Sequence, residues 1–211
     1  MPSPEEIENS SRYRLLLALE YSSVADFVIR QLKTINTVTA SFYALTLGLL
    51  IWSLSFRLGF EAGSALRVLP YTLAGLLLFP LLLIPIHEGI HILVFRILGG
   101  RDIRIGADLK NFIVYVTAHR HVVTALPFIV IAASPFVIIS ISLLISVWYV
   151  APIYKWTLSL TLLAHTTMCA GDIAMAAFYH INRDKTILTW DDAESKVAYF
   201  YEETKHTGTN Q

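Results

Sequence analysis

The stretch PIHEGIHILVF, Pro85 to Phe95, places two histidines and a glutamate in a segment that is otherwise apolar enough to lie in a lipid bilayer. Unpaired charged groups are costly in a bilayer, so these side chains must face other helices and must have partners there. His87, Glu88 and His91 form the pattern H-E-x-x-H. On a helix this spacing brings both imidazoles to one face, where they can hold one zinc ion with Glu88 beside it as a base. The alternative is a pair of core histidines that are hydrogen-bonded to the backbone or to Glu88.

The composition around this stretch is that of a membrane protein. Of the 211 residues, 55% are hydrophobic and 15% are charged, whereas a soluble domain has about 25% charged residues. The 16 basic and 16 acidic residues cancel, so no basic excess indicates nucleic acid as a partner. The single cysteine, Cys169, excludes an internal disulfide and a four-cysteine zinc site.

Four segments reach the length of about 20 mostly apolar residues that a transmembrane helix needs. These predicted spans are residues 38–56, 68–98, 126–150 and 156–179. The second is longer than a straight crossing requires and contains Pro80 and Pro85, which predict a tilt and a kink. Pro135 predicts a bend in the third span.

Basic residues fall unevenly on the two sides of these spans. Thirteen lie before the first span, at the end of the second span or between it and the third, or after the fourth, and three lie in the other two connections. By the positive-inside rule, both termini are expected in the cytoplasm. The predicted fold class is therefore an all-α polytopic membrane protein with four transmembrane helices and with its amino and carboxyl termini on the cytoplasmic side.

Three segments outside the spans also have a recognisable pattern. Residues 12–32 have apolar residues at helical spacing, which predicts an amphipathic interfacial or packing helix. Residues 103–122 predict a β-hairpin with a turn near Asp108 to Asn111, and residues 186–201 predict a second cytoplasmic hairpin. The predicted organisation is an amino-terminal segment, a four-helix membrane domain and a cytoplasmic tail, at residues 1–37, 38–180 and 181–211.

A catalytic zinc site needs a third protein ligand and an open position. Asp172 is the only aspartate within the four spans, and His165 lies seven residues before it. Asp172 is the preferred third ligand and His165 the alternative. His91 and Asp172 lie ten and eleven residues before Arg101 and Arg183, so both reach about 15 Å above the cytoplasmic basic residues.

The third span contributes a further polar group at a similar depth. Ser134 is a candidate ligand or a candidate partner of a ligand, and Pro135 beside it frees a backbone carbonyl of the helix.

These motifs resemble a family of zincin-type integral membrane peptidases, found in bacteria and archaea as a domain of unknown function and distantly related to the site-2 intramembrane proteases. The resemblance rests on HEGIH, GGRDIRIG…YVTAHRH, ASPF and GDI, and it covers roughly residues 81–201. It implies that His87, His91 and Asp172 are the zinc ligands and that Glu88 is the catalytic base. It also implies a location in the prokaryotic cytoplasmic membrane. Site-2 proteases usually have L-D-G where this chain has Gly171-Asp172-Ile173, so the resemblance does not extend to the substrate class.

The predicted function is hydrolysis of peptide bonds in or beside the membrane, with one Zn²⁺ per chain and Glu88 as general base. The expected partners are the bilayer and a membrane-protein or peptide substrate, without nucleic acid, and the sequence is compatible with a monomer or an oligomer. One alternative is a peptidase or amide hydrolase that acts on soluble or lipid-linked substrates from the cytoplasmic side. Another is a non-catalytic membrane metal-binding protein such as a carrier, sensor or scaffold, and a third is a redox protein that holds haem with paired histidines.

Overall fold

The computed structural model describes residues 1–58, 65–108 and 113–204. It begins with the short helix α1 (Pro4–Asn9), the strand β1 (Tyr13–Glu20) and the helix α2 (Val24–Lys33). The single helix predicted over residues 12–32 is therefore wrong in its first half. Leu, Ala and Glu are good helix formers in isolation, but β1 pairs along its length with a strand close to the other end of the chain. Long-range pairing overrides the local preference here.

Three helical segments are long and apolar enough to cross a membrane, and a bent pair of helices is a fourth candidate. The three segments are Thr37–Leu58, Leu66–Ile97 and Ala125–Trp148, and their ends lie within two residues of the first three predicted spans. Within Leu66–Ile97, only 11% of the most apolar stretch of 18 residues is buried inside the chain. Much of the apolar surface of that segment therefore needs an apolar environment other than this chain, which is consistent with a membrane protein.

These segments comprise four named helices. They are α3 (Thr37–Leu58), α4 (Ala65–Leu73), α5 (Phe79–Ile97) and α6 (Ala125–Trp148). A π-helical turn, Ala74–Leu78, joins α4 to α5 immediately before Pro80. At that turn Gly75 packs against the helix α7 (Pro152–Met168), since a Cβ built on Gly75 would lie 2.6 Å from the carbonyl oxygen of Thr157.

The predicted fourth span is divided in the structure. It forms α7 and the helix α8 (Ala170–Ile181), which are bent by 48° at Cys169. The hydroxyls of Thr166 and Thr167, just before the break, donate back to the carbonyls of Leu162 and Ala164. Such back-bonding by Ser and Thr side chains bends helices. A spacing of seven residues on one straight helix predicts that His165 and Asp172 share a helix face. In the structure they lie on two different helices, α7 and α8, so this prediction is wrong.

Helix α5 ends in a double-glycine cap that directs the chain into a hairpin. The Gly99 N–H donates to the carbonyl of Arg96 and the Gly100 N–H to that of Phe95, while Gly99 has a φ of 93°. This is a Schellman motif, and only glycine adopts that φ without strain. The antiparallel strands β2 (Ile103–Asp108) and β3 (Ile113–Ala118) follow, which confirms the first predicted hairpin. Its predicted turn lies largely in residues 109–112, outside the described residues.

The second predicted hairpin is confirmed as part of a larger sheet. Strands β5 (Ile187–Asp192) and β6 (Val197–Glu203) pair with each other, β1 adds to β6, and the short β4 (Val123–Thr124) adds to β5. The core beneath this sheet contains Phe27 of α2, Tyr179 of α8 and Phe200 of β6. Because β4 leads directly into α6 and β5 follows α8, the sheet lies at the same ends of the helices as the β2–β3 hairpin.

Candidate metal centre

His87 and His91 lie one turn apart on the buried face of α5. Each side chain is about nine-tenths buried, and their Nε2 atoms are 3.1 Å apart. Asp172 stands in the first turn of α8, with Oδ2 at 3.3 Å from His87 Nε2 and Oδ1 at 3.6 Å from His91 Nε2. The structure thus brings together the two histidines and the aspartate that the sequence singled out.

The spacing of these three donor groups suits zinc. Zinc holds imidazole nitrogens and carboxylate oxygens at about 2.0–2.2 Å in a tetrahedron, which places neighbouring ligand atoms about 3.3 Å apart. The observed separations of 3.1, 3.3 and 3.6 Å bracket that value. Two imidazoles and one carboxylate leave the fourth corner for water or substrate, as in catalytic zinc sites.

The Nδ1 atom of each imidazole contacts a different group, on the ring edge away from Asp172. His91 Nδ1 is 3.1 Å from the carbonyl oxygen of Ile131. That carbonyl lies four residues before Pro135, which has no N–H to bond it within α6. The sequence predicted a carbonyl freed by Pro135, and the structure identifies its partner. An Nδ1–H donated to a carbonyl leaves Nε2 free as a ligand, which is the usual arrangement of metal-bound histidines.

His165 contacts His87 at Nδ1, as the Ile131 carbonyl contacts His91 at Nδ1. It is fully buried in α7, with Nε2 at 3.4 Å from His87 Nδ1. His165 therefore lies on the opposite edge of the His87 ring from Asp172. Cys169 Sγ is 3.7 Å from His165 Nε2, and His87, His165 and Cys169 form a second group of potential metal ligands that shares His87.

Two more predicted site residues lie on α5 and α6. Glu88 lines the cavity described below, and its Oε2 is buried without a hydrogen-bond partner among the described residues. The Ser134 hydroxyl donates to the carbonyl of Val130 within α6. The α6 group that contacts the histidines is thus the Ile131 carbonyl, and a role for Ser134 at the metal remains a prediction.

A cavity of about 540 Å³ opens beside these residues. On one side it is lined by His87, Glu88, His91 and Asp172, and on the other by α2, β3 and the inner face of the four-stranded sheet. Most of its wall is apolar, and a second polar group of residues, Tyr21, Thr117 and Asp191, lies in it. Sequence reasoning missed these three, because they come from segments far apart in the chain and form no local motif.

Comparison with known proteins gives a match to a protein family. Residues 80–187, a little over half of the chain, match a family model described as "Putative zincin peptidase". The matched range includes His87, Glu88, His91 and Asp172, as well as Ile131 and Pro135. No curated protein and no solved structure matches the chain.

Proposed function

The chain belongs to the zincin peptidase family, and we propose from this that it is a zinc-dependent, membrane-embedded peptidase. The observation that carries the proposal is the convergence of His87 Nε2, His91 Nε2 and the Asp172 carboxylate at tetrahedral spacing beside a cavity. The cavity that these residues line is space that a substrate can fill. Glu88, next to His87, supplies the additional carboxylate that peptide hydrolysis requires.

In this proposal His87, His91 and Asp172 hold one Zn²⁺ per chain. Zinc at such a centre lowers the pKa of water and polarises a carbonyl oxygen. His165 and the Ile131 carbonyl orient the two imidazoles through their Nδ1 atoms. The mostly apolar cavity wall lowers the local dielectric constant and so strengthens the electrostatic interactions of the centre.

Glu88 moves the proton. As a water molecule attacks the scissile carbonyl carbon, Glu88 accepts its proton and a C–O bond forms. When the C–N bond breaks, Glu88 returns that proton to the amine nitrogen, so that one water is consumed and a carboxylic acid and an amine are produced. Glu88 Oε2, which has no hydrogen-bond partner among the residues that the structure describes, is available to accept the proton.

Strand β3 offers a place for an extended substrate. The His119 N–H donates to the carbonyl of Asp102 across the hairpin, and hydrogen-bonded pairs alternate along antiparallel strands. The backbone groups of Val114 and Val116 consequently point away from β2, and both residues line the cavity. A peptide in extended conformation can add to this edge by β-augmentation and place its carbonyl near the metal centre.

We further propose that the chain crosses the prokaryotic cytoplasmic membrane four times, with α7 and α8 together as the fourth span. The distribution of basic residues orients both termini and both hairpins toward the cytoplasm. Its substrates are membrane proteins or membrane-associated peptides that enter the cavity from that side.

The test combines metal analysis with a cleavage assay on the purified full-length protein in detergent. Wild-type protein is expected to contain one zinc per chain, which His87→Ala and Asp172→Ala lose. His165→Leu should retain zinc with affinity reduced about 10–100-fold, as expected of a group that orients a ligand. Zinc that persists in Asp172→Ala and is lost in His165→Leu would instead make His165 the third ligand.

Glu88→Gln tests catalysis separately from metal binding. This variant should keep its zinc and lose cleavage of fluorogenic peptides that the wild type hydrolyses. His180→Gln, at the end of α8, is the matched control and should change neither property. Equal cleavage by wild type and Glu88→Gln would contradict the proposed role of Glu88.

The second candidate function is a membrane metal-binding protein without catalysis. The observation that favours it is the second donor group, His87, His165 and Cys169, which shares His87 with the first. Two adjacent donor groups would suit a carrier that passes a metal from one to the other. Zinc binding in the wild type without any Glu88-dependent hydrolysis would favour this function over the peptidase.

A further inference from the structure

A second polar cluster lines the same cavity as the metal centre. It consists of Tyr21 after β1, Thr117 of β3 and Asp191 of β5, and we call it the Asp191 cluster. Tyr21 and Asp191 lie outside the residues that match the family model. This end of the cavity is therefore built largely by parts of the chain beyond the family match, where features particular to this chain are expected.

The Asp191 carboxylate accepts a hydrogen bond and has no cationic partner among the described residues. Its Oδ1 accepts a hydrogen bond from the Tyr21 hydroxyl at 3.2 Å. Within the described part of the chain, no lysine, arginine or histidine forms a salt bridge with it. Burial raises the pKa of Asp191 to about 6, so the carboxylate is still charged at neutral pH. Asp191 is partly buried, and a charge that is partly removed from water is stabilised when a cation joins it.

Thr117 adds a second polar group that lacks a partner. Its side chain is 3% exposed, and among the described residues Oγ1 has no hydrogen-bond partner. The Tyr21 hydroxyl lies near Thr117 without the geometry of a hydrogen bond to it. Buried hydroxyls are nearly always hydrogen-bonded, so this one is expected to be satisfied by whatever fills the cavity.

The surroundings of the cluster suit a long cationic side chain. Val24, Val28 and Phe200 line the cavity, and the Tyr21 and Tyr115 rings meet edge to face with centroids 4.8 Å apart. Lysine and arginine pack their aliphatic stems on apolar walls and extend only their charged heads. Here such a head would find a carboxylate, hydroxyl acceptors and aromatic rings.

We propose that the Asp191 cluster is a recognition subsite for a lysine or arginine side chain of the substrate. The proposal rests on the peptidase function proposed above and specifies its substrate class. Membrane proteins carry their excess of lysine and arginine at the cytoplasmic ends of their spans. A peptidase that opens on that side and holds one such residue at Asp191 would select the cytoplasmic boundary of a transmembrane segment.

The test uses zinc-loaded full-length protein and a set of fluorogenic peptides. The peptides differ only in a lysine, a norleucine or a glutamate placed in turn at each position around the cleaved bond. At one position, wild type should cleave the lysine peptide with kcat/KM about 10–100-fold above the norleucine peptide, which is the range of a charge-assisted hydrogen bond. Asp191→Asn should reduce this ratio to near one, chiefly by lowering kcat/KM for the lysine peptide.

Matched variants separate an effect on recognition of the lysine side chain from an effect on the stability of the protein. Tyr21→Phe and Thr117→Val each remove one hydroxyl at nearly constant volume and should lower the ratio in part. Glu194→Gln makes the same carboxylate-to-amide change at an exposed site on the β5–β6 turn and should preserve it. A wild type without preference for lysine, or a preference that survives Asp191→Asn, would overturn the proposal while leaving the peptidase function intact.

A binding assay makes the result independent of catalysis. The affinity of Glu88→Gln protein for the lysine and norleucine peptides is measured by fluorescence anisotropy, with and without Asp191→Asn. Tighter binding of the lysine peptide that depends on Asp191 supports the subsite even if no peptide is cleaved, in which case only the peptidase function fails. Binding that is equal for both peptides, or absent, overturns the subsite.

Discussion

At the residue scale, the candidate metal centre depends on how the two imidazoles are oriented. His87 and His91 present Nε2 to Asp172 because His165 and the Ile131 carbonyl contact their Nδ1 atoms. Each contact comes from a neighbouring helix: the His165 side chain belongs to α7, and the Ile131 carbonyl belongs to α6. In α6 the ring nitrogen of Pro135 leaves the Ile131 carbonyl without its usual helical donor.

Pro135→Ala should weaken zinc binding without unfolding the protein. Alanine restores an N–H that competes with His91 for the Ile131 carbonyl, so the His91 ring loses its fixed orientation. Loss of such a supporting contact reduces metal affinity by about 10–100-fold. Competition with a chelator of known affinity measures the change. Pro152→Ala, at the first turn of α7 where proline is well tolerated, is the control, and an equal loss of affinity in both variants would contradict the role of Pro135.

Asp191 should make the stability of the fold depend on pH. Burial raises its folded-state pKa to about 6 from an ordinary value of 3.8, so the folded state binds the proton more tightly than the unfolded state. The resulting stabilisation is fully present below pH 3.8 and is lost as the pH rises through 6. A shift of about two pH units corresponds to up to about 3 kcal/mol.

The measurement is the thermal unfolding temperature of wild type and Asp191→Asn across this pH range. Wild type should lose a few degrees relative to the variant between pH 4 and pH 7, since asparagine does not titrate. A difference between the two proteins that stays constant with pH would show that Asp191 has the same pKa in the folded and unfolded states.

The sequence predicted those site residues whose positions follow from local spacing or from depth in the membrane. His87, Glu88 and His91 follow from helical periodicity, and Asp172 follows from its distance to the next basic residue. The Asp191 cluster could not be predicted in this way. Tyr21 and Asp191 are 170 residues apart, and they meet only because β1, β6 and β5 lie side by side in one sheet.

At the scale of elements, the apolar helices were predictable and the junctions between them were not. Length and hydropathy decide where a span begins and ends. The break between α7 and α8 accompanies threonine hydroxyls that bond back to the helix. The π-helical turn lies next to Pro80, where the sequence predicts a kink but not its form. Neither feature alters hydropathy, so the sequence pattern gave one span where the structure has a bend.

Gly75 should be essential for packing of the π-helical turn against α7. A Cβ at this position would lie 2.6 Å from the Thr157 carbonyl oxygen and 3.0 Å from the Cβ of Leu160, so Gly75→Ala forces the two segments apart. Overpacking of this kind costs about 1–3 kcal/mol. Unfolding in mixed detergent micelles measures the loss.

Gly48→Ala is the matched control for this variant. Gly48 lies in α3, and a Cβ there would meet nothing within 4 Å. Alanine is about 1 kcal/mol better than glycine within a helix, so this substitution should leave the protein equally or more stable. Equal destabilisation by both substitutions would contradict close packing at Gly75.

At the scale of the whole molecule, the cavity lies between a set of apolar helices and a set of β-strands that carry many charged residues. The helices that carry His87, His91 and Asp172 expose apolar side chains over much of their surface, whereas the β2–β3 hairpin and the four-stranded sheet carry the charged residues that cover one end. The first and last described segments meet in this sheet through β1 and β6. A substrate would therefore contact the metal centre from the helical side and the Asp191 cluster from the sheet side.

This arrangement predicts that the sheet and the connection between α6 and α7 lie on opposite sides of the membrane. Single cysteines at Tyr149, which is 85% exposed in that connection, and at Glu194 on the β5–β6 turn report the two sides. In sealed right-side-out cells a membrane-impermeant maleimide should label Tyr149→Cys, and in inverted vesicles it should label Glu194→Cys. The unmodified protein is the control, because its only cysteine, Cys169, is fully buried. Labelling of both variants from the same side would contradict an odd number of crossings between them, and with it the cytoplasmic entry that the proposed selection of basic residues requires.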